Sequence, residues 1–91
     1  MYVIDNRVKF ILSIYGEEAQ AKKIIEELAE LQRAIVREDV DNIHEEIADV
    51  LIMLEQLMAF EAIDTKKIDE IIESKIEREL KRIADRVTGR G

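Results

Sequence analysis

The chain has 91 residues, with no Pro, Cys or Trp, three Gly and a formal net charge of −7. That length suits one domain, and an acidic balance with two Tyr and two Phe lacks the basic footprint of a nucleic-acid binder. The absence of Cys excludes disulfides, a thiol nucleophile and a zinc–thiolate site. The longest uncharged stretch, Phe10 to Gly16, is far below the roughly 18 residues of a membrane span. Met1 to Gly16 carries Asp5, Arg7 and Lys9 through its apolar part and offers no small-residue cleavage site. It does not read as a signal peptide, and a cytoplasmic location is expected. A chain of this size buries only about 60–70% of its unfolded surface alone, so self-association is expected as well.

Apolar residues recur at helical spacing throughout. Ile4, Val8, Ile11 and Tyr15 form a first stripe that stops at Gly16, a helix C-terminal signal. Ala21, Ile24, Ile25, Leu28, Leu31 and Ile35 form a second. The segment 38–42 is polar, and Asn42 and Glu45 have capping-box spacing before a third stripe of Ile43, Ile47, Val50, Leu51, Leu54, Leu57 and Met58. Asp64-Thr65 supplies the next cap, before Ile68, Ile72, Ile76, Leu80, Ile83 and Val87. Four helices follow, over about residues 3–15, 17–37, 42–62 and 65–87, with short turns that imply antiparallel neighbours. The expected fold is all-α, an antiparallel four-helix bundle-like subunit within an oligomer. One domain spans 1–87, and 88–91 is a frayed tail. Ile52, Met53 and Phe60 lie off the third stripe, so that helix is apolar on several sides and should be buried, centrally or against a second subunit. Tyr2, Phe10, Tyr15 and Phe60 fit packing in the core or an interface.

The charge is confined to one segment. Between Glu26 and Asp49 nine acids oppose Arg33 and Arg37, which accounts for the whole −7. On a wheel of about 100° per residue, Glu27 and Glu30 lie along one edge of the second stripe, with Lys23 beside them. Glu46 and Asp49 lie along the matching edge of the third, whereas Glu26, Glu45 and Glu55 point elsewhere. In an antiparallel hairpin, residues equidistant from the turn lie level, and the pairs Glu30/Glu46 and Glu27/Asp49 share position 38 as midpoint. Residues three apart are helix neighbours, so four carboxylates should form a square across the two helices. Such a square repels itself unless a cation sits within it, and Mg²⁺ or Mn²⁺ suits oxygen donors. The alternative at this level is a solvated acidic face. A di-iron bundle needs a Glu-x-x-His from each of two helices, and His44 is the one His. No glycine lies between 17 and 88, which removes a Gly-rich phosphate loop.

Glu26-Glu27-Leu28-Ala29-Glu30-Leu31, followed fifteen residues later by Glu46-Ile47-Ala48-Asp49-Val50-Leu51, resembles the MazG-like all-α nucleoside triphosphate pyrophosphohydrolases. Their hallmark is Glu-x-x-Glu and then Glu-x-x-Asp on consecutive antiparallel helices. Gln20, Lys23 and the run from Lys75 through Arg82 are similar to the family too, although Glu79 stands where some members carry Asn. The resemblance implies cleavage of a nucleoside triphosphate between its α- and β-phosphates. Glu27, Glu30, Glu46 and Asp49 would hold Mg²⁺, and Glu27 or Glu26 would act as general base. Lys23, Lys75, Arg78 and Arg82 would bind phosphates, the last three sharing about 100° of arc on the fourth helix; surface ion pairs with Glu77, Glu79 and Asp85 are the plainer role for those three. The resemblance also implies a homodimer or homotetramer. Two other readings stay open: a non-catalytic helical interaction module, and a phosphoribosyl-ATP pyrophosphohydrolase from the same superfamily.

Overall fold

Residues 3–89 are described by a computed structural model. Among them are four helices and no strand: α1 (Asn6–Tyr15), α2 (Glu17–Arg37), α3 (Val40–Met58) and α4 (Thr65–Val87). The all-α class expected from the sequence is the class observed. The helices fall into two units, one of Val3–Ile63 with α1, α2 and α3, the other beginning at Asp64 and carrying α4. Tyr2 and the end of the expected frayed tail, Arg90 and Gly91, lie outside the described residues.

Capping chemistry sets each boundary. Asp5 is in extended backbone and its carboxylate accepts from the Arg7 N–H at 2.8 Å, so α1 begins at Asn6 rather than near residue 3. The Arg7 guanidinium grips the same carboxylate, and with the backbone bond it holds the Asp5 pKa down at about 2. Gly16 alone separates α1 from α2: its N–H donates to Leu12 O (2.7 Å) and its carbonyl accepts from the Gln20 N–H (3.2 Å). It does so at φ 86 and ψ 160, a conformation open essentially to glycine alone.

At the other end of α2, Glu38 is left-handed (φ 56, ψ 30). The Glu38 N–H donates to Ile35 O and the Asp39 N–H to Ala34 O, the two bonds of a Schellman motif with glutamate in the usual glycine position. That exit leaves Asp39 extended, and its side chain accepts from the Asn42 N–H at 3.2 Å. Helix α3 therefore starts at Val40, and the expected Asn42–Glu45 box does not cap it because Asn42 already lies in the first turn. The helix ends at Met58, four residues earlier than expected, where Ala59 and Phe60 donate to Gln56 O and Leu57 O in three-residue turns.

Helices α2 and α3 form the main antiparallel pairing of the first unit, and α1 lies on both. Its core is small: Val8 and Leu12, Ile24 and Ala34, Val50 and Met53. Each large aliphatic side chain buried this way contributes roughly 1.5–3 kcal/mol. The buried line of α2 runs Gln20, Ile24, Glu27, Ala34, and that of α3 runs Glu46, Val50, Met53, Gln56. Both are rotated away from the apolar stripes read in the sequence. Ile25, Leu28 and Ile35 on α2, and Ile47, Leu51 and Ile52 on α3, are exposed, as are Phe10 and Tyr15 on α1. The burial expected all round the third helix is not reached within one chain.

In its own unit, α4 is capped by Asp64, whose carboxylate accepts from the backbone N–H groups of Lys66 and Lys67. Thr88 closes it, donating its hydroxyl to Ala84 O at 2.9 Å. No residue of α4 is buried, and Ile72, Ile76, Leu80, Ile83 and Val87 present a continuous exposed apolar stripe.

Gly16 and Glu38, which bound α2 with positive φ, should respond oppositely to substitution. No atom lies within 4 Å of a Cβ built on Gly16, so Gly16→Ala is expected to lose stability through backbone strain alone, about 1–3 kcal/mol. Glu38→Gly removes left-handed strain at the cost of a freer unfolded chain and should range from neutral to about 1 kcal/mol more stable. Urea midpoints of the two variants check both signs.

Candidate metal centre

The α2–α3 pairing brings acids into the middle of a helix interface. Glu27 is 7% exposed and Glu46 is 9% exposed. One carboxylate oxygen of each of Glu27, Glu46 and Asp49 lies within 4.8 Å of the other two. Asp49 is exposed, so the cluster has a buried back and an open front. Glu30 is half-buried, and its charge is among those acting on Glu46. Three of the four expected corners, Glu27, Glu46 and Asp49, thus cluster, and Glu30 lies outside that group.

Within the cluster, Glu27 Oε2 and Glu46 Oε2 are buried and have no hydrogen-bond partner among the described residues. An oxygen in that state forfeits its hydration, and the cost is visible at Glu46. Burial raises its pKa above the ordinary 4.5, and the charges of Glu30, Asp49 and Glu27 raise it further. Among the described residues the cation in contact is Lys23, whose Nζ stands 3.4 Å from Glu27 Oε1, one turn up the same helix and half exposed. It leaves both orphaned oxygens unsatisfied. Three hard oxygen donors with an open front fit a hard divalent cation such as Mg²⁺, which keeps waters and takes few protein carboxylates.

The remaining expected site residues are placed otherwise. Glu26 is exposed on α2, one turn from Glu30 and outside the three-carboxylate cluster. Lys75, Arg78 and Arg82 are exposed on α4, in the other unit. There Arg82 Nη1 pairs with Glu79 Oε2 at 3.3 Å, an exposed contact of the kind that adds little stability. His44 is exposed.

Three contacts went unread in the sequence. Gln20 Nε2 donates to Gln56 Oε1 at 2.7 Å, the Asp5 N–H donates to Glu55 Oε1 at 2.6 Å, and the Glu61 N–H donates to Glu17 Oε2 at 2.8 Å. The first had a signal: Gln20 and Gln56 share midpoint 38 with both carboxylate pairs.

Taken together, a helical hairpin closing on a carboxylate cluster defines an all-α protein with a centre suited to a hard cation. Residues 15–86 match the MazG nucleotide pyrophosphohydrolase domain, and the chain belongs to that family. No curated protein and no solved structure gives a match to it. Among the described residues no helix is long and apolar enough to cross a membrane.

The raised Glu46 pKa has a signed consequence. The folded protein holds this proton to higher pH than the unfolded chain does, so the stability it contributes is greatest at low pH. That contribution is lost as pH rises from 4.5 through the raised value. In EDTA, the urea midpoint of the wild type is expected to fall more steeply over that range than that of Glu46→Gln, which lacks the titration. Adding Mg²⁺ at neutral pH should raise the wild-type midpoint and leave the variant's unchanged, since only a ligand of the native state stabilises it. Equal pH slopes would show that Glu46 titrates as it does in the unfolded chain.

Proposed function

We propose that the chain is a Mg²⁺-dependent nucleoside triphosphate pyrophosphohydrolase, adding water across the α–β phosphoanhydride to give nucleoside monophosphate and pyrophosphate. The observation that carries this reading is the pair of buried, unpartnered oxygens on Glu27 and Glu46 beside the open carboxylate of Asp49. Family membership supplies the substrate class, nucleotides. With Glu30, these residues would hold the cation. Bound Mg²⁺ would supply charge neutralisation for the phosphate oxygens and for the transition state.

The chain's own groups divide the rest of the work. The buried backs of Glu27 and Glu46 keep bulk water from one side of the centre, and Asp49 marks the side from which substrate enters. Glu26, exposed on α2, and Glu27, with Oε2 uncommitted, are the candidates to take the proton of the attacking water. Lys23 is the nearest base to the cluster and suits a phosphate oxygen at its rim. Lys75, Arg78 and Arg82 are the further candidates for phosphate charge, by residue type and shared arc on α4. We place the enzyme in the cytoplasm and as a homodimer or homotetramer. Exposed Ile25, Leu28, Leu51 and Ile52 support self-association, because scattered single apolar residues are ordinary on a monomer but so many on two paired helices are not.

Three measurements test these readings. A panel of nucleoside triphosphates with Mg²⁺, including phosphoribosyl-ATP, should give pyrophosphate as the main product. Glu46→Gln should lower turnover at least about 100-fold, the order expected when transition-state charge stabilisation is lost, while the helical circular dichroism is kept. Phosphate as main product, or unchanged turnover in the variant, rejects the reaction. In multi-angle light scattering the protein should run at two or four chain masses, and a monomer at micromolar concentration rejects the oligomer.

A further inference from the structure

Among the described residues the least exposed large side chain is an amide. Gln56 is 1% exposed, accepts from Gln20 Nε2 at 2.7 Å and donates its own Nε2 to Met53 Sδ at 3.5 Å. An aliphatic pair would fill the same space without burying polar atoms, so the amides need a reason other than packing. We propose that the Gln20–Gln56 bond is a register pin: it positions α2 against α3 so that Glu27 stands level with Asp49 and Glu30 with Glu46. This rests on the reading of those carboxylates as a metal centre.

The two-residue turn at Glu38 and Asp39 fixes the register at one end, and the apolar contacts beyond it add little to it. Hydrophobic contact is non-directional, and Val50, Met53 and Leu57 recur at successive turns of α3, so apolar packing by itself discriminates weakly against a slide of one turn, about 5.4 Å. The same slide leaves at most one pair of carboxylates level. It also spreads their charge, so the metal-free cluster pushes towards slippage. The amide pair resists in the one way apolar packing cannot. A one-turn slide in either direction brings Gln20 level with Met53 or Phe60, neither of which offers an amide, and leaves two buried amides unsatisfied. A single buried polar residue fixing the register of paired helices is the best-attested use of such groups. Position supports the role: the pin lies two helical turns from Glu27, at the end of the hairpin opposite the Glu38 turn, so the carboxylates are held between two fixed points. Gln20 and Gln56 touch none of the reacting groups and are positioning residues.

The test uses the double variant Gln20→Leu/Gln56→Leu, with Gln20→Met/Gln56→Met as a second packing of the same space, each in the full chain. The chain has no cysteine, so spin labels can be placed singly at the exposed positions Lys22 and Glu45. With labels there, and the labelled chain diluted into excess unlabelled chain so that distances within one chain are read, the metal-free wild type should give one narrow distance and the double variants a broadened distribution or one displaced by about one helical turn. Mn²⁺ affinity, measured by electron paramagnetic resonance on unlabelled protein, should weaken at least tenfold in both double variants while their urea midpoints match or exceed the wild type. The single variant Gln56→Leu should be less stable than either pair, because it strands Gln20. Wild-type distances in a double variant, or Mn²⁺ affinity within twofold of wild type, overturn the pin. Failure of both pairs to fold overturns it too, since the amides would then hold the fold and not its register. If the wild type binds no Mn²⁺, the metal reading fails instead, and the spin-label distances still decide the pin.

Discussion

Like charge across one helix interface governs this hairpin. Glu27 and Glu46 occupy positions on the buried faces of α2 and α3 where an ordinary hairpin places aliphatic residues, and Glu30 and Asp49 flank them. The metal-free interface therefore gives up apolar burial at its middle and adds repulsion there. Its cohesion comes from the two ends. Towards the turn, fully buried Ala34 permits close approach, and the Schellman bonds of Glu38 and Asp39 close the loop in two residues. Towards the open end, Gln20–Gln56 and the bond from the Glu61 N–H to Glu17 tie the same two helices. Helix α1 completes the clamp through Val8, Leu12 and the bond from the Asp5 N–H to Glu55.

The hairpin was largely legible in the sequence because its logic is arithmetic. The common midpoint at position 38 depends only on an antiparallel turn near that residue, and it set Glu27 level with Asp49, two of the three carboxylates that cluster. Gly16 and Asp64 were legible because each is the sole strong signal at its boundary. The start of α3 was not, because Asp39 and Asn42 both cap well in isolation. The choice between them is made by the left-handed exit from α2, which no side chain near Glu38 announces. The rotation of the two helices departs from the apolar stripe for a related reason. A wheel assigns the apolar stripe to the buried face, but Ile25, Leu28, Leu51 and Ile52 face outward here and acids face inward. The acids consequently sit deeper than the edge position given by apolar periodicity. The fourth helix shows the limit of such reading: Lys75, Arg78 and Arg82 share an arc by spacing alone, and the helix that carries them buries none of its own apolar stripe.

Patterning that fails locally while the rest of the chain obeys it is the usual mark of a functional position, and here the failure is confined with unusual economy. The nine acids between Glu26 and Asp49 carry the whole −7, yet most of them, including Glu26, Glu38, Asp41 and Glu45, are exposed and cost the fold little. Of the nine, Glu27 and Glu46 are buried, and burial together with three acidic neighbours raises the pKa of Glu46. Their penalty is incurred in the metal-free state and is relieved by whatever cation enters between them, so it becomes part of the affinity for that cation. By linkage the reverse also holds, since a cation that binds only the aligned hairpin stabilises that alignment. A cluster built from helix-borne side chains, with both helices fixed at both ends, meets the requirement that a centre of this kind be organised before its ligand arrives. The charge that looked like a property of the whole chain is confined to residues 26–49, and its cost to the fold falls on the two buried members, Glu27 and Glu46.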